Sequence, residues 1–464
     1  MGATNRDPRS EIAEVVKHRS EHYIDVLQQL IQIPSVGSRP DFLDRCARRI
    51  DTLIEDLGFE SRVLPTPACP MVFGQSVPHL NAPTLLLTSH YDVQPAEPVE
   101  AWSVPPFEAR QLGDKIIGRG ATDAKGNLAA LLAALDALRR VLGQYPLNIK
   151  LLFDGAEERG SPQLDEFLDT HAGLLKADAV VSFDAGFAPT DHPFIWLGSS
   201  GMLVLEVQAT GSSKDLHSSR ARLAPHAGWR LVHALASLRD TSGRITIQGF
   251  YDHVRPPDPD EFSILRSYPW DDSAYAEELG ISEFPDNVTG IEALRKLLFE
   301  PSLTITGLDS GYTGPGWKEV LPAQAIARLE FRLVPNQTAD DIYEKVERHF
   351  RAHQFEGITV TRLTSTDPTQ SALNSPVTEA IMRAAKHVYG KPVAIKPRHE
   401  SSGRQATWLA GKLGIAGAIT GIGPPNWRGH APDEFMLVPY FDDGIEYVAN
   451  VILNFAELAR FPDR

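Results

Sequence analysis

Thr84-Leu85-Leu86-Leu87-Thr88-Ser89-His90-Tyr91-Asp92 is a short apolar run that breaks into polar residues, with a histidine and an acid two positions apart. A run with no polar alternation reads as a strand buried on both faces, which belongs in a parallel sheet covered by helices. Two more runs repeat the pattern. Residues 149–153 lead into Asp154-Gly155-Ala156-Glu157-Glu158, and residues 179–183 lead into Asp184. Between the first two runs lies an Ala/Leu-rich helix, predicted over 126–141. Upstream, helical periodicity covers 9–32 and stops before Pro34, and a second helix at 41–57 is closed by Gly58. Buried strands separated by helices predict an α/β sheet.

The middle of the chain has another rhythm. Strands are predicted over 203–209, 244–249, 303–307, 325–333 and 358–363, and helices over 225–238 and 338–350. A polar, proline-rich stretch occupies 254–286. With that stretch set aside, the order approaches β-α-β-β-α-β, the ferredoxin-like plan. A linker follows at 367–376. Helix–strand alternation then resumes over 377–389, 393–396, 403–410, 415–420 and 439–458. The expected architecture is a mostly parallel α/β domain covered by helices and interrupted by an inserted ferredoxin-like α+β domain. Residues 1–200 and 369–464 form the first domain, and residues 201–368 form the second.

The 464 residues are enough for two or three domains. Sixty acids against 45 bases give a net charge of −15, which argues against a nucleic-acid or anionic-membrane binder. Hydrophobic residues at 42% and charged ones at 23% fit a globular enzyme rather than a disordered chain. The two cysteines, Cys46 and Cys69, exclude a disulfide framework and a thiolate zinc site, so any metal must be held by His, Asp and Glu. No secretory-type segment follows Met1, and no apolar run approaches the roughly 20 residues of a membrane span. The expected compartment is the cytoplasm, with no membrane or nucleic-acid partner.

Acids and histidines gather at strand ends and loops. His90 and Asp92 can face the same way, and Asp92 is placed to hold the second nitrogen of a ligating imidazole. The glycine-rich Gly118-Arg119-Gly120-Ala121-Thr122-Asp123 delivers Asp123 at the start of the Ala/Leu helix. Of the adjacent Glu157 and Glu158, one can bind a metal while its neighbour handles a proton. Asp184 ends a buried strand, and His430 lies in a loop before the last helix. Alone, each has an ordinary explanation: a solvated pair, a helix cap, surface acids. Together, two His, two Asp and one Glu suit a pair of divalent cations, with Asp123 the best-placed bridge.

Ser89-His90-Tyr91-Asp92-Val93-Gln94-Pro95, Gly118–Gly126, Gly155–Ser161, Asp184 and His430-Ala431-Pro432-Asp433-Glu434 resemble the motifs of the dinuclear-zinc metallopeptidases that include carnosinases, aminoacylases and carboxypeptidase G. The segments around His217, 310–316 and 331–337 look most like the carnosinase-type dipeptidase branch. This resemblance implies that His90 and Asp184 hold one metal, that Glu158 and His430 hold the other, and that Asp123 bridges. It implies Asp92 as the orienting acid, Glu157 as general base and a cis peptide after Asp123. It also implies that the α/β domain is catalytic and the inserted one a lid, that His217 stabilises the oxyanion, often from the partner subunit of a homodimer formed through the lid, and that Arg332 grips the substrate's carboxylate. Where the branch carries a glycine-rich run, this chain has Glu400-Ser401-Ser402-Gly403-Arg404-Gln405-Ala406, which makes Gly403 and Arg404 candidates for the same contact. Zinc is the implied metal, although the same ligands accept manganese or cobalt.

The expected activity is hydrolysis of amide or peptide bonds in small substrates with a free carboxylate, by a metal-activated water and Glu157. An aminoacylase acting on N-acyl amino acids is the first alternative. A non-catalytic binding protein on the same fold is the second, and a base beside metal ligands argues against it.

Overall fold

The computed structural model describes residues 7–184, 186–188, 191–403 and 406–460. Its main sheet has eight strands. In spatial order they are Glu60–Leu64, Met71–Gln75, Asn148–Asp154, Thr84–His90, Ala179–Phe183, Ala416–Thr420, Phe194–Trp196 and Ala394–Lys396. The central four are parallel, with Leu85 level with Ile149 on one side and Ala179 on the other. Their side chains alternate between two cores. Leu85, Leu87, Ile149 and Leu151 pack beneath helices Pro8–Ile31, Lys125–Leu142 and Val438–Arg460. Leu86, Leu152 and Val180 pack against helices Leu164–His171 and Ala406–Leu413. Each such leucine, removed from water, contributes about 1.5–3 kcal/mol. Apolar contact on both faces explains why these strands read as unbroken hydrophobic runs.

Residues leave this sheet at Gly201 and return after Thr366. Between them lies an antiparallel sheet ordered Ser302–Ser310, Gln324–Leu333, Gly201–Thr210 and Ile358–Thr366. Gly201–Thr210 alternates buried and half-buried residues, as a sheet with one covered face requires. Leu203, Leu205, Val207 and Phe331 pack under helices Ala227–Ala236 and Ala339–Ala352. The element order and strand order are ferredoxin-like. The two crossings between the units run side by side, with Gly198–Ser199 paired antiparallel to Thr369–Gln370.

Two expectations within this insert fail. Residues 244–249 are not a strand. Ile245 makes one isolated bridge to Arg239, and Ile245, Ile247 and Phe250 enter the core from turns. Gly243 and Gly249, both left-handed, bracket the segment and leave it too short to pair. The polar stretch is largely helical, forming Pro259–Ser267 and Asp272–Leu279 before a further helix, Gly290–Phe299. The first and third share a small core of Leu265, Leu294, Leu298 and Phe299. The fully buried Arg398 anchors that core to the main sheet. It donates to the Leu298 carbonyl at 2.7 Å and to Gln370, lies 3.4 Å from Glu261, and stacks 4.1 Å over Phe299.

Candidate active site

The parallel strands end at one edge of the sheet, where ligands bind in open α/β folds. Thr84–His90 places His90 there, and Asn148–Asp154 leads to Glu157 and Glu158. Ala179–Phe183 leads to Asp184, whose amide is held by the Thr420 carbonyl at 2.8 Å. Asp123 comes from the glycine loop before helix Lys125–Leu142, and the Asp123–Ala124 peptide is cis, as the resemblance implied. Gly126 is required at this turn, because a Cβ there would lie 2.1 Å from the Ala121 carbonyl oxygen.

All five residues expected to ligate metal come together, in two overlapping triads. One ligand atom from each of His90, Asp123 and Asp184 lies within 4.8 Å of the others, and the same holds for Asp123, Glu158 and His430. His90 Nε2 is 2.9 Å from Asp123 Oδ1 and 3.5 Å from Asp184 Oδ1. His430 Nε2 is 3.1 Å from Asp123 Oδ2 and 3.3 Å from Glu158 Oε2. Asp123 thus turns one oxygen to each triad. Glu158 Oε1 is buried with no hydrogen-bond partner among the described residues. A carboxylate oxygen so placed beside an imidazole and a second acid fits a divalent cation.

Asp92 is fully buried and serves both sides. His90 Nδ1 lies 3.1 Å from its carbonyl oxygen and 3.3 Å from its Oδ1. Its carboxylate also accepts the amides of Glu157 at 3.1 Å and Glu158 at 3.2 Å, which fixes the turn that presents both glutamates.

The electrostatics follow from crowding. Burial pushes the Glu157 carboxyl well above the usual range, and the charges of Asp184, Asp123 and Asp92 push the same way against His90. Burial would lower the His90 value, but hydrogen bonds to Asp123 and Asp184 outweigh it and raise it. His430 is pushed up to about 10, chiefly by its hydrogen bonds to Asp123 and Glu158. Both shifts arise from the same carboxylates that the two triads share.

The remaining expected residues divide. Glu157 and Gly403 line the same cleft, and a Cβ on Gly403 would lie 4.0 Å from Glu157 Oε1. Arg332 reaches the cleft wall, donating to Ser402 Oγ at 3.0 Å while paired with Glu330 at 2.8 Å. His217 is about half exposed on the lid, bound to Glu319 Oε2 at 3.1 Å and Ser219 Oγ at 2.9 Å, outside the cleft lining. Arg404 lies outside the described residues.

The cleft also contains Ser401 and Ser402 of the loop already noted, and residues that the sequence reading passed over: Trp196, Glu278, His399 and Trp427. The His399 ring lies tilted against Trp196, centroids 4.0 Å apart, and burial holds its pKa down to about 4, which favours the neutral imidazole. Trp427 was findable by its nearness to His430. Glu278 was not, since it arrives on the helix hidden in the polar stretch.

Comparison with known proteins places this geometry. The Cys-Gly metallodipeptidase dug1 of Schizosaccharomyces pombe is 29% identical over 360 residues, covering 73% of this chain and 75% of its own. The Beta-Ala-His dipeptidase of Rattus norvegicus is 28% identical over 375 residues, 78% of this chain and 75% of its own. Among solved structures, the M20 family metallo-carboxypeptidase Sso-CP2 from Sulfolobus solfataricus superposes with a TM-score of 0.87 at 32% identity, over 94% of this chain and 99% of that one. Human carnosine dipeptidase 1 shares the fold with a TM-score of 0.80 at 24% identity, over 98% of this chain and all of its own. The model of peptidase family M20/M25/M40 matches residues 86–454, and this chain, an enzyme of metal-dependent peptidase type, belongs to that family.

Proposed function

We propose that the chain is a dinuclear metal-dependent dipeptidase that hydrolyses short peptides with a free carboxylate. The carrying observation is Asp123, one carboxylate shared between two complete ligand triads. In this reading His90 and Asp184 hold one cation, Glu158 and His430 the other, and Asp123 bridges. Zinc is the favoured ion, with manganese or cobalt accepted by the same donors. Bound cations supply Lewis-acid charge that lowers the pKa of a water from 15.7 toward about 7.

Glu157 takes the proton of the attacking water on a carboxylate oxygen and returns it to the leaving nitrogen. Asp92 keeps His90 and the Glu157–Glu158 turn in register. Arg332 with the Ser402–Gly403–Arg404 loop binds the substrate's carboxylate, for which a guanidinium fork is suited. Glu278 is an exposed acid in the cleft wall and offers a counter-charge to a free ammonium, which favours peptides over N-acyl amino acids.

The domains in this reading are residues 1–200 with 369–464, and the lid 201–368. The lid presents Leu223, Trp229, Val232, Ile305 and Leu308 to solvent, an apolar face suited to a second copy. A homodimer through that face would let His217 act on the partner's oxyanion. The test is a panel of dipeptides and N-acetyl amino acids on protein loaded with zinc, manganese or cobalt. Hydrolysis of dipeptides with about two equivalents of metal per chain is expected. Turnover of N-acyl substrates alone would reassign the enzyme as an aminoacylase, and metal binding without turnover would make it a binding protein.

A further inference from the structure

Glu434 takes no part in the chemistry above, yet its bonds converge on the loop that carries Asp123. It is fully buried and lies four residues beyond His430. Its Oε2 accepts from Arg119 Nη1 at 2.8 Å and from the Gly120 amide at 3.0 Å. Its Oε1 accepts from the amides of Thr122 and Asp123, each at 3.0 Å. Two neighbouring contacts tighten the same seam: the Gly118 amide donates to the Glu434 carbonyl at 3.0 Å, and the Thr122 hydroxyl donates to the Phe435 carbonyl at 2.8 Å. An ionised carboxylate has about four acceptor positions, so both oxygens are saturated. Arg119 is itself buried beneath Trp102, 5.2 Å from its ring, and supplies the charge that makes a buried carboxylate tolerable.

We infer that Glu434 is a positioning residue that holds the Asp123 loop rigid and thereby sets both Asp123 oxygens between His90 and His430 before any ion arrives. This rests on the dinuclear reading above. The geometry explains why charge balance alone does not account for it. Arg119 needs one oxygen, whereas Glu434 spends the rest of its capacity on three backbone N–H groups flanking Asp123. It also sits on the segment that carries His430, so one side chain registers two ligands from distant parts of the chain. Glutamine has nearly the same shape but would turn an NH₂ toward two N–H donors, so the amide cannot replace the acid.

The test compares wild type, Glu434→Gln and Arg119→Lys for Co²⁺ and Zn²⁺ affinity by chelator competition, with the visible spectrum of the Co²⁺ form as a second readout. Glu434→Gln is expected to bind about 10–100-fold more weakly, the range for loss of a residue that orients a ligand, and to change the Co²⁺ spectrum. Arg119→Lys, which keeps the compensating charge and the three amide contacts, is expected to lose less. Wild-type affinity and spectrum in Glu434→Gln would overturn the inference, as would an equal loss in both variants. If Glu434→Gln does not fold, hydrogen exchange on the wild-type protein decides. Equal protection of residues 118–124 with and without Zn²⁺ supports a prearranged loop, and protection that appears only with the ion overturns it. Failure of the underlying reading looks different, because wild type would then bind one equivalent rather than two.

Discussion

Asp123 and Glu157 stand side by side and have separable consequences. Asp123→Asn removes the one charge common to both triads, so metal content should fall from about two equivalents to well below one, read by elemental analysis after dialysis. Glu157→Gln leaves every proposed ligand in place. Its metal content should stay at the wild-type level while kcat falls about 10²–10⁴-fold, and retained turnover would put the base elsewhere. His430 adds a pH dependence. Its raised value, about 10, means the imidazole is protonated across the neutral range until an ion displaces that proton. Apparent affinity at this position should therefore rise with pH, by about tenfold per unit for each proton expelled. Calorimetry in buffers of different ionisation enthalpy would count those protons, and a count of zero would contradict the assignment. Glu157 was legible because it follows a strand too apolar to be anything but core, whereas Asp123 and His430 lie in loops and gained weight only from the motifs around them. Glu434 was written in the same motif as His430, but only coordinates disclose that its partners are backbone amides more than 300 positions upstream.

At the scale of elements, the buried strands and long helices were readable, and the short helices were not. The helix Pro259–Ser267 announces itself through Asp258 and Glu261, a reciprocal capping box, yet nine residues of mixed polarity gave no clear period. Conversely, the Ile245–Ile247 alternation imitated a strand that has no edge to join. The capping acid has a measurable role. Burial would raise the Glu261 pKa, but Arg255, Gln370 and the Asp258 amide hold it down to about 2. A depressed carboxylate contributes stability above its unfolded value near 4.5 and loses that contribution as pH falls toward 2. Wild type should therefore lose stability more steeply than Glu261→Gln between those limits, by on the order of 3 kcal/mol at most. Parallel Tm-against-pH curves for the two proteins would refute this.

For the whole molecule, the question is whether one chain completes its own site. His217 lies on an exposed lid surface, bonded to Glu319, while the cleft is lined without it. If the partner supplies it, two dead variants should rescue each other. Mixing Glu157→Gln with His217→Ala under exchange conditions should restore about a quarter of wild-type activity, since half the dimers are mixed and each has one intact site. No recovery, with exchange verified by mass, would make His217 act within its own chain or not at all. Among the described residues no helix is long and apolar enough to cross a membrane.

Asp123 meets His430 across 307 positions of sequence. A ribosome making this protein releases His90, Asp123, Glu158 and Asp184, then the entire intervening unit, and only near the finish His430. On the dinuclear reading, capture of the second ion is thus a late event in biogenesis, and a nascent chain stalled before residue 430 would carry one complete triad beside another that lacks its imidazole.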